Sequence, residues 1–232
     1  MASGAKRSPS RLRNGCATAY HPGMAYRAKM AAALSGASVG QLARWRKGDK
    51  PLLVPEVSTD PILYSFRDLV ALRSFTYLRE KVSLQKIRKA LGNLRELGGL
   101  DHLSQYKLVA HGVSSVVLVA PDGDHGVDLV DRPGHHVTVL AIGDVLESFP
   151  FRDIEVPSLR RPQPRISVDP SVRRGTPVVA GTRVSYDLVA GLLRDGVPAE
   201  EVADYYPSVT AEAARDALAF ADHVDGISQR AA

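Results

Sequence analysis

The chain has 232 residues, 44% hydrophobic and 24% charged, proportions that exclude wholesale disorder and leave room for two or three small domains. One cysteine, Cys16, excludes a disulfide framework and a cysteine-based zinc site, and no apolar run reaches membrane-spanning length, so a reducing cytoplasm is expected, with no membrane partner. The net charge of +5 is unevenly spread: residues 1–100 carry 18 Lys and Arg against 6 Asp and Glu, residues 101–150 carry 2 against 7, and residues 166–232 carry 6 against 10, which points to a phosphate-binding end joined to modules with other partners.

Residues 1–24 hold Lys6, Arg7, Arg11 and Arg13 without an acid, among Gly, Ser and Pro. A basic disordered tail is expected there, and the lack of an apolar core segment argues against a signal peptide. Residues 25–97 read as a winged helix-turn-helix. YRAKMAAALSG is a helix closed by Gly36, and SVGQLARWRKG follows after a very short turn. Ser38 is the expected N-cap of this second helix, leaving its first amides for a phosphate. Val39, Leu42 and Trp45 face inward, with Trp45 an anchor on the core. Gln41, Arg44 and Arg46 face out, and Gln and Arg are suited to bidentate contacts with adenine and guanine edges.

LLVPEVSTDPILYSF reads as two short strands around a Ser-Thr-Asp-Pro turn, a wing. Ser65 and Asp68 form a capping box that opens the next helix, whose Leu69, Leu72, Phe75 and Leu78 make a core stripe. Residues 83–97 repeat the pattern with Leu84, Ile87, Leu91 and Leu94.

Residues 98–150 change character. YKLVAHG, SSVVLVA, GVDLVDR and HHVTVL are β-rich runs between turn residues, with a short helix expected before Phe149. Asp122, Asp124, His125, Asp128, Asp131, His135 and His136 are dense enough to raise a metal site, but Asp-Gly and Pro-Gly pairs make turn chemistry the better account, and no metal or other cofactor is expected. Residues 151–165, Pro-rich and basic, suit a semi-rigid linker.

In residues 166–228, Gly175-Thr176 and Gly181-Thr182 flank an apolar run, and Arg183-Val184-Ser185 reads as a strand. Asp187 is placed to cap a helix ending at Gly196, Pro198 starts the next and Thr210 caps the last. RGTPVVAGTR is not a phosphate loop, since its second Gly is followed by Thr-Arg rather than Lys-Ser or Lys-Thr. The expected class is α+β, mainly α: a winged helix-turn-helix, a small β-rich module and a trihelical, helix-turn-helix-like domain with a short leading strand.

Two resemblances sharpen this. Residues 25–97 resemble the DNA-binding domain of the MerR regulators, carried by Tyr64-Ser65-Phe66-Arg67-Asp68-Leu69 after the wing and Ser83-Leu84-Gln85-Lys86-Ile87-Arg88 in the last helix. The chain departs from that pattern at Ala43, where the family has an arginine, and at Leu63, where it has a basic residue. Phosphate contacts then fall to Arg44, Arg46, Lys47 and Lys50. Gly98-Gly99 stands where a long coiled-coil helix would follow.

Residues 166–222 resemble small bacterial and archaeal domains associated with antitoxins, through Asp169-Pro170, Gly175, Pro177-Val178, Gly181-Thr182-Arg183, Gly196, Glu200-Glu201-Val202, Tyr206-Pro207 and Thr210. Together the modules resemble VapB antitoxins of toxin–antitoxin pairs. The resemblance implies a VapC-type PIN-domain ribonuclease toxin as partner, binding to the chain's own promoter DNA as an autorepressor, and a homodimer. It offers Arg173, Arg174 and Arg183 as toxin contacts, although bracing of its own turn is the simpler role for Arg183. A regulator sensing a small ligand or metal through the middle module is the alternative. No nucleophile–base pair stands out, so no enzymatic activity is expected.

Overall fold

The computed structural model describes residues 25–98, 108–111, 115–119, 125–131, 133, 136–138 and 145–227. The described residues form an α+β structure, mainly α, with small antiparallel sheets. The first strand, β1 (Tyr26–Arg27), leads into α1 (Ala28–Ser35) and α2 (Val39–Trp45). Gly36 closes α1 with φ of 76°, in the left-handed region, and its amide donates to the Ala32 carbonyl at 3.0 Å. Strands β2 (Ser58–Thr59) and β3 (Ile62–Tyr64) form the wing, and β1 completes a sheet in the order β1-β3-β2 with Tyr26 opposite Tyr64.

Helix α3 (Phe66–Lys81) opens on the expected capping box: Ser65 Oγ accepts from the Asp68 amide and Asp68 Oδ2 from the Ser65 amide. Leu69, Leu72, Phe75 and Leu78 are all buried, and Trp45 meets Phe75 edge-to-face at 5.8 Å. In α4 (Leu84–Gly98), Ile87, Leu91 and Leu94 are buried and Leu84 is half-buried. Residues 31–35 of α1 are buried all round. The helix is enclosed by α2 and α3 and also packs on the chain's last helix, a close approach that three consecutive alanines permit.

The middle sheet runs β4 (Leu108–His111), β5 (Ser115–Val119), β6 (His125–Asp128) and β7 (His136–Thr138), each antiparallel to the next. Asp128 belongs to a turn: its carboxylate accepts from the amides of Val130 and Asp131 at 2.8 and 3.0 Å. From α4, Lys89 Nζ and Asn93 Nδ2 donate to the Val130 and Leu129 carbonyls and hold that turn. Asp122, Asp124 and His135, and most of the segment expected to hold a short helix, lie outside the described residues.

A hairpin of β8 (Phe149–Phe151) and β9 (Ile154–Val156) straddles residue 150, where the sequence suggested the start of a linker. Phe149, Phe151 and Val156 point to one buried side, and Phe149 meets Tyr77 of α3 edge-to-face at 5.4 Å. The Pro-rich stretch after it is packed. Leu159 is fully buried and its amide donates to Leu146, while the Val168 amide donates to Arg160 and the Ala180 amide to Arg165.

The last domain pairs β10 (Ile166–Ser167) with β11 (Val178–Val179) ahead of α5 (Tyr186–Arg194), a 3-10 turn (Ala199–Glu201), α6 (Val202–Tyr205) and α7 (Ala211–Gly226). Two expectations are corrected. Arg183–Ser185 makes a single bridge, Val178 with Ser185, because the chain turns straight into α5. Ser185, not Asp187, is the N-cap of α5; Asp187 lies in the first turn and accepts from Ser185 Oγ. Thr210 caps α7 as expected. No helix among the described residues is long and apolar enough to cross a membrane.

Candidate nucleic-acid interface

The sequence places a run of cations on and just after α2, and the fold determines which of them are free. Arg44, Lys47 and Lys50 are exposed and have no side-chain partner among the described residues. Arg46 is half-buried, and its Nη1 donates to Tyr64 Oη at 3.4 Å, tying the end of α2 to the last residue of the wing. Burial pushes the Tyr64 phenol above its ordinary range, with this contact to Arg46 opposing the shift. Arg46 therefore positions α2 against the wing.

Ser38 is the N-cap of α2, as expected, but Gln41, expected to face outward, takes part in the cap. Ser38 Oγ accepts from the Gln41 amide at 3.1 Å, and Gln41 Oε1 accepts from the Ser38 amide at 2.7 Å. This is a reciprocal capping box. It consumes two of the amides expected to greet a phosphate, and an adenine contact by Gln41 competes with the cap. The signal was legible, since Gln stands three residues after Ser. Trp45 is buried, so its ring serves the core.

The base of the wing is fixed by a knot of polar bonds on α3. Asp68 Oδ2, besides capping, accepts from the Glu56 amide at 2.9 Å, Ser65 Oγ donates to Glu56 Oε2 at 2.7 Å, and Arg67 pairs with Glu56 at 3.1 Å. Helix α2, the wing and the start of α3 thus share one frame. Arg27 of β1 and Lys29 of α1 add exposed cations that sequence patterning did not single out.

A residue wholly missed by sequence reasoning sits behind this frame. Arg73 of α3 is fully buried. Its Nη1 donates to the Leu34 carbonyl at 2.5 Å, its Nη2 to the Glu147 carbonyl at 2.7 Å and its Nε to the Val145 carbonyl, and the guanidinium lies 5.0 Å from the Phe149 ring centre. Leu34 is in the last turn of α1, so Arg73 links the turn of the helix-turn-helix to the segment before β8. Gly36 in that turn packs on the Val156 side chain of β9. The turn between α1 and α2 is therefore held from behind by residues 145–156.

Arg173 and Arg174 lie in a 3-10 turn, Arg173–Gly175, in which all three residues have positive φ: 47°, 56° and 73°. A left-handed conformation costs an ordinary residue roughly 1–2 kcal/mol. Both arginine side chains are exposed and without a partner among the described residues. The neighbouring Asp169 is committed elsewhere: its Oδ1 accepts from Ser171 Oγ and the Ser171 amide, which hold its carboxyl below the usual range. Arg183 is exposed too and has no side-chain partner among the described residues. Thr182 braces the turn, donating from Oγ1 to the Val179 carbonyl at 2.9 Å and accepting from the Val184 amide at 3.0 Å. Among the described residues no three His, Cys, Asp or Glu side chains are grouped to hold a metal ion.

Comparison with known proteins places one part of the chain. No curated protein matches it. Among solved structures, the crystal structure of Rv2018 from Mycobacterium tuberculosis is similar over 83% of this chain and 96% of its own, at 22% identity and a TM-score of 0.49. Residues 166–221, from β10 into α7, match a family described as a protein of unknown function, DUF433.

Proposed function

We propose that this chain is a DNA-binding antitoxin, which represses its own promoter through the winged helix-turn-helix and restrains a PIN-domain ribonuclease toxin through its acidic modules. The observation that carries the DNA-binding half is the set of exposed, unpartnered cations Arg44, Lys47 and Lys50 on and after a helix that Arg46 locks to the wing. Cations free of intramolecular partners are available to phosphates and release counterions on binding. The toxin half is supported by the resemblance of residues 166–222 to antitoxin-associated domains.

Affinity purification of the tagged chain from its host tests both halves. The expected result is a stoichiometric small protein with PIN-type acidic motifs, whose ribonuclease activity the chain suppresses, together with binding to the DNA preceding the chain's own gene. Promoter binding without such a partner would instead favour a regulator that responds to a ligand in the middle module. Arg73 lends that second reading support, because residues 145–147 reach the helix-turn-helix through its guanidinium.

A further inference from the structure

We propose that the Arg173–Arg174 turn is a second phosphate-contacting element of the DNA interface, carried by the C-terminal domain but docked on the wing sheet. This rests on the DNA-binding reading above.

Three observations lead to it. First, the turn is anchored to the DNA-binding domain. Tyr26 Oη donates to the Gly175 carbonyl at 2.8 Å, and Tyr26 stands directly opposite Tyr64, whose own hydroxyl accepts from Arg46. Two neighbouring tyrosines of one sheet thus hold, respectively, the arginine turn and the end of the recognition helix. Second, the two arginines do nothing for the fold that glycine would not do better. Successive left-handed residues are least strained as glycine, yet Arg173 and Arg174 occupy both positions with exposed, unpartnered side chains. A strained backbone that presents two free guanidinium groups points to a ligand outside the chain, and the planar guanidinium suits bidentate binding of an oxyanion. Third, the strand that anchors the turn, and the helix after it, carry exposed cations. Arg27 follows Tyr26 on β1 and Lys29 lies in the first turn of α1, both exposed. A phosphate backbone fits this setting better than a protein carboxylate, because the turn is tied through Tyr26 to the domain that holds the excess of Lys and Arg.

The test is equilibrium binding of the full chain to duplex DNA from its own promoter and to a random duplex, across a series of KCl concentrations. Arg173→Gly/Arg174→Gly removes both charges while relieving the backbone, so the variant keeps its fold. If each arginine contacts one phosphate, the slope of log K against log salt falls in magnitude by about 1.8, on both duplexes. Arg173→Lys/Arg174→Lys should restore most of that slope. An unchanged slope in the glycine variant, alongside a reduced slope in Arg44→Ala/Lys47→Ala, overturns this proposal and leaves the two arginines to an acidic protein surface. If the unaltered chain shows no salt-dependent DNA binding, the DNA-binding reading and this inference fall together.

Discussion

The Tyr26 hydroxyl donates a 2.8 Å hydrogen bond to the carbonyl of Gly175, joining positions 149 residues apart. It binds the edge of the wing sheet to the C-terminal domain. Tyr26→Phe keeps the ring and removes the bond, and should lower unfolding stability by about 1 kcal/mol in urea denaturation. A midpoint identical to that of the unaltered chain would show that the two domains are held by apolar packing of α1 on α7 alone.

The same phenol makes stability depend on alkaline pH. Burial pushes Tyr26 well above its ordinary value near 10, and pushes Tyr186 up to about 12. The deprotonated forms are disfavoured in the folded state, so the stabilisation is complete below pH 10. It is lost as pH rises, first because the unfolded chain releases these protons near pH 10. Stability should fall between pH 10 and 12, and Tyr26→Phe with Tyr186→Phe should flatten that fall. An equal decline in the double variant would assign it to other groups.

Arg73 satisfies three main-chain carbonyls at once, from Leu34, Val145 and Glu147. Arg73→Ala leaves these acceptors without their donor and opens a cavity, and should cost at least ~3 kcal/mol. Arg73→Lys retains the charge but not the fork of donors, and should recover only part of the loss. Because Leu34 lies beside the helix-turn-helix turn, DNA affinity should fall in Arg73→Lys even where the chain stays folded. Unaltered affinity in a folded lysine variant would uncouple residues 145–147 from α2.

Gly36 meets two separate requirements, a positive φ and close contact with Val156. Gly36→Ala should therefore destabilise by about 1–3 kcal/mol. Val156→Ala in the same chain should relieve the steric share and leave the conformational share, a coupling visible in a double-mutant cycle. Strict additivity would mean that the hairpin does not press on the turn.

Local features were legible in the sequence because they are written over three or four residues: the Ser65–Asp68 cap, the Gly36 stop, the Ser-Thr-Asp-Pro wing turn and the stripe from Leu69 to Leu78. The β8–β9 hairpin was equally available in the alternation of Phe149, Phe151, Ile154 and Val156 around Arg152-Asp153, but the prolines of 157–165 drew the boundary too early. Arg73 was not legible. A cation on a helix ordinarily signals solvent, and its partners are carbonyls, which carry no residue code. Arg174 was hidden for a related reason, since only the following glycine hinted at a left-handed turn. In the candidate interface, residue type showed the cations of α2, but only contacts could separate Arg44, which has no side-chain partner among the described residues, from Arg46, which is tied to Tyr64.

That separation yields opposite expectations for neighbouring arginines. Arg44 is exposed on α2 and has no side-chain partner among the described residues. Arg44→Ala should leave thermal stability unchanged and weaken specific promoter binding by roughly 1–3 kcal/mol, the cost of a lost base contact. Arg46→Ala removes the bond to Tyr64 and should loosen helix against wing, weakening promoter and random DNA alike. Binding isotherms on both duplexes, with melting curves for each variant, distinguish the two roles. Equal losses on both DNAs for Arg44→Ala would make it a phosphate contact, and no loss on either would remove it from the interface.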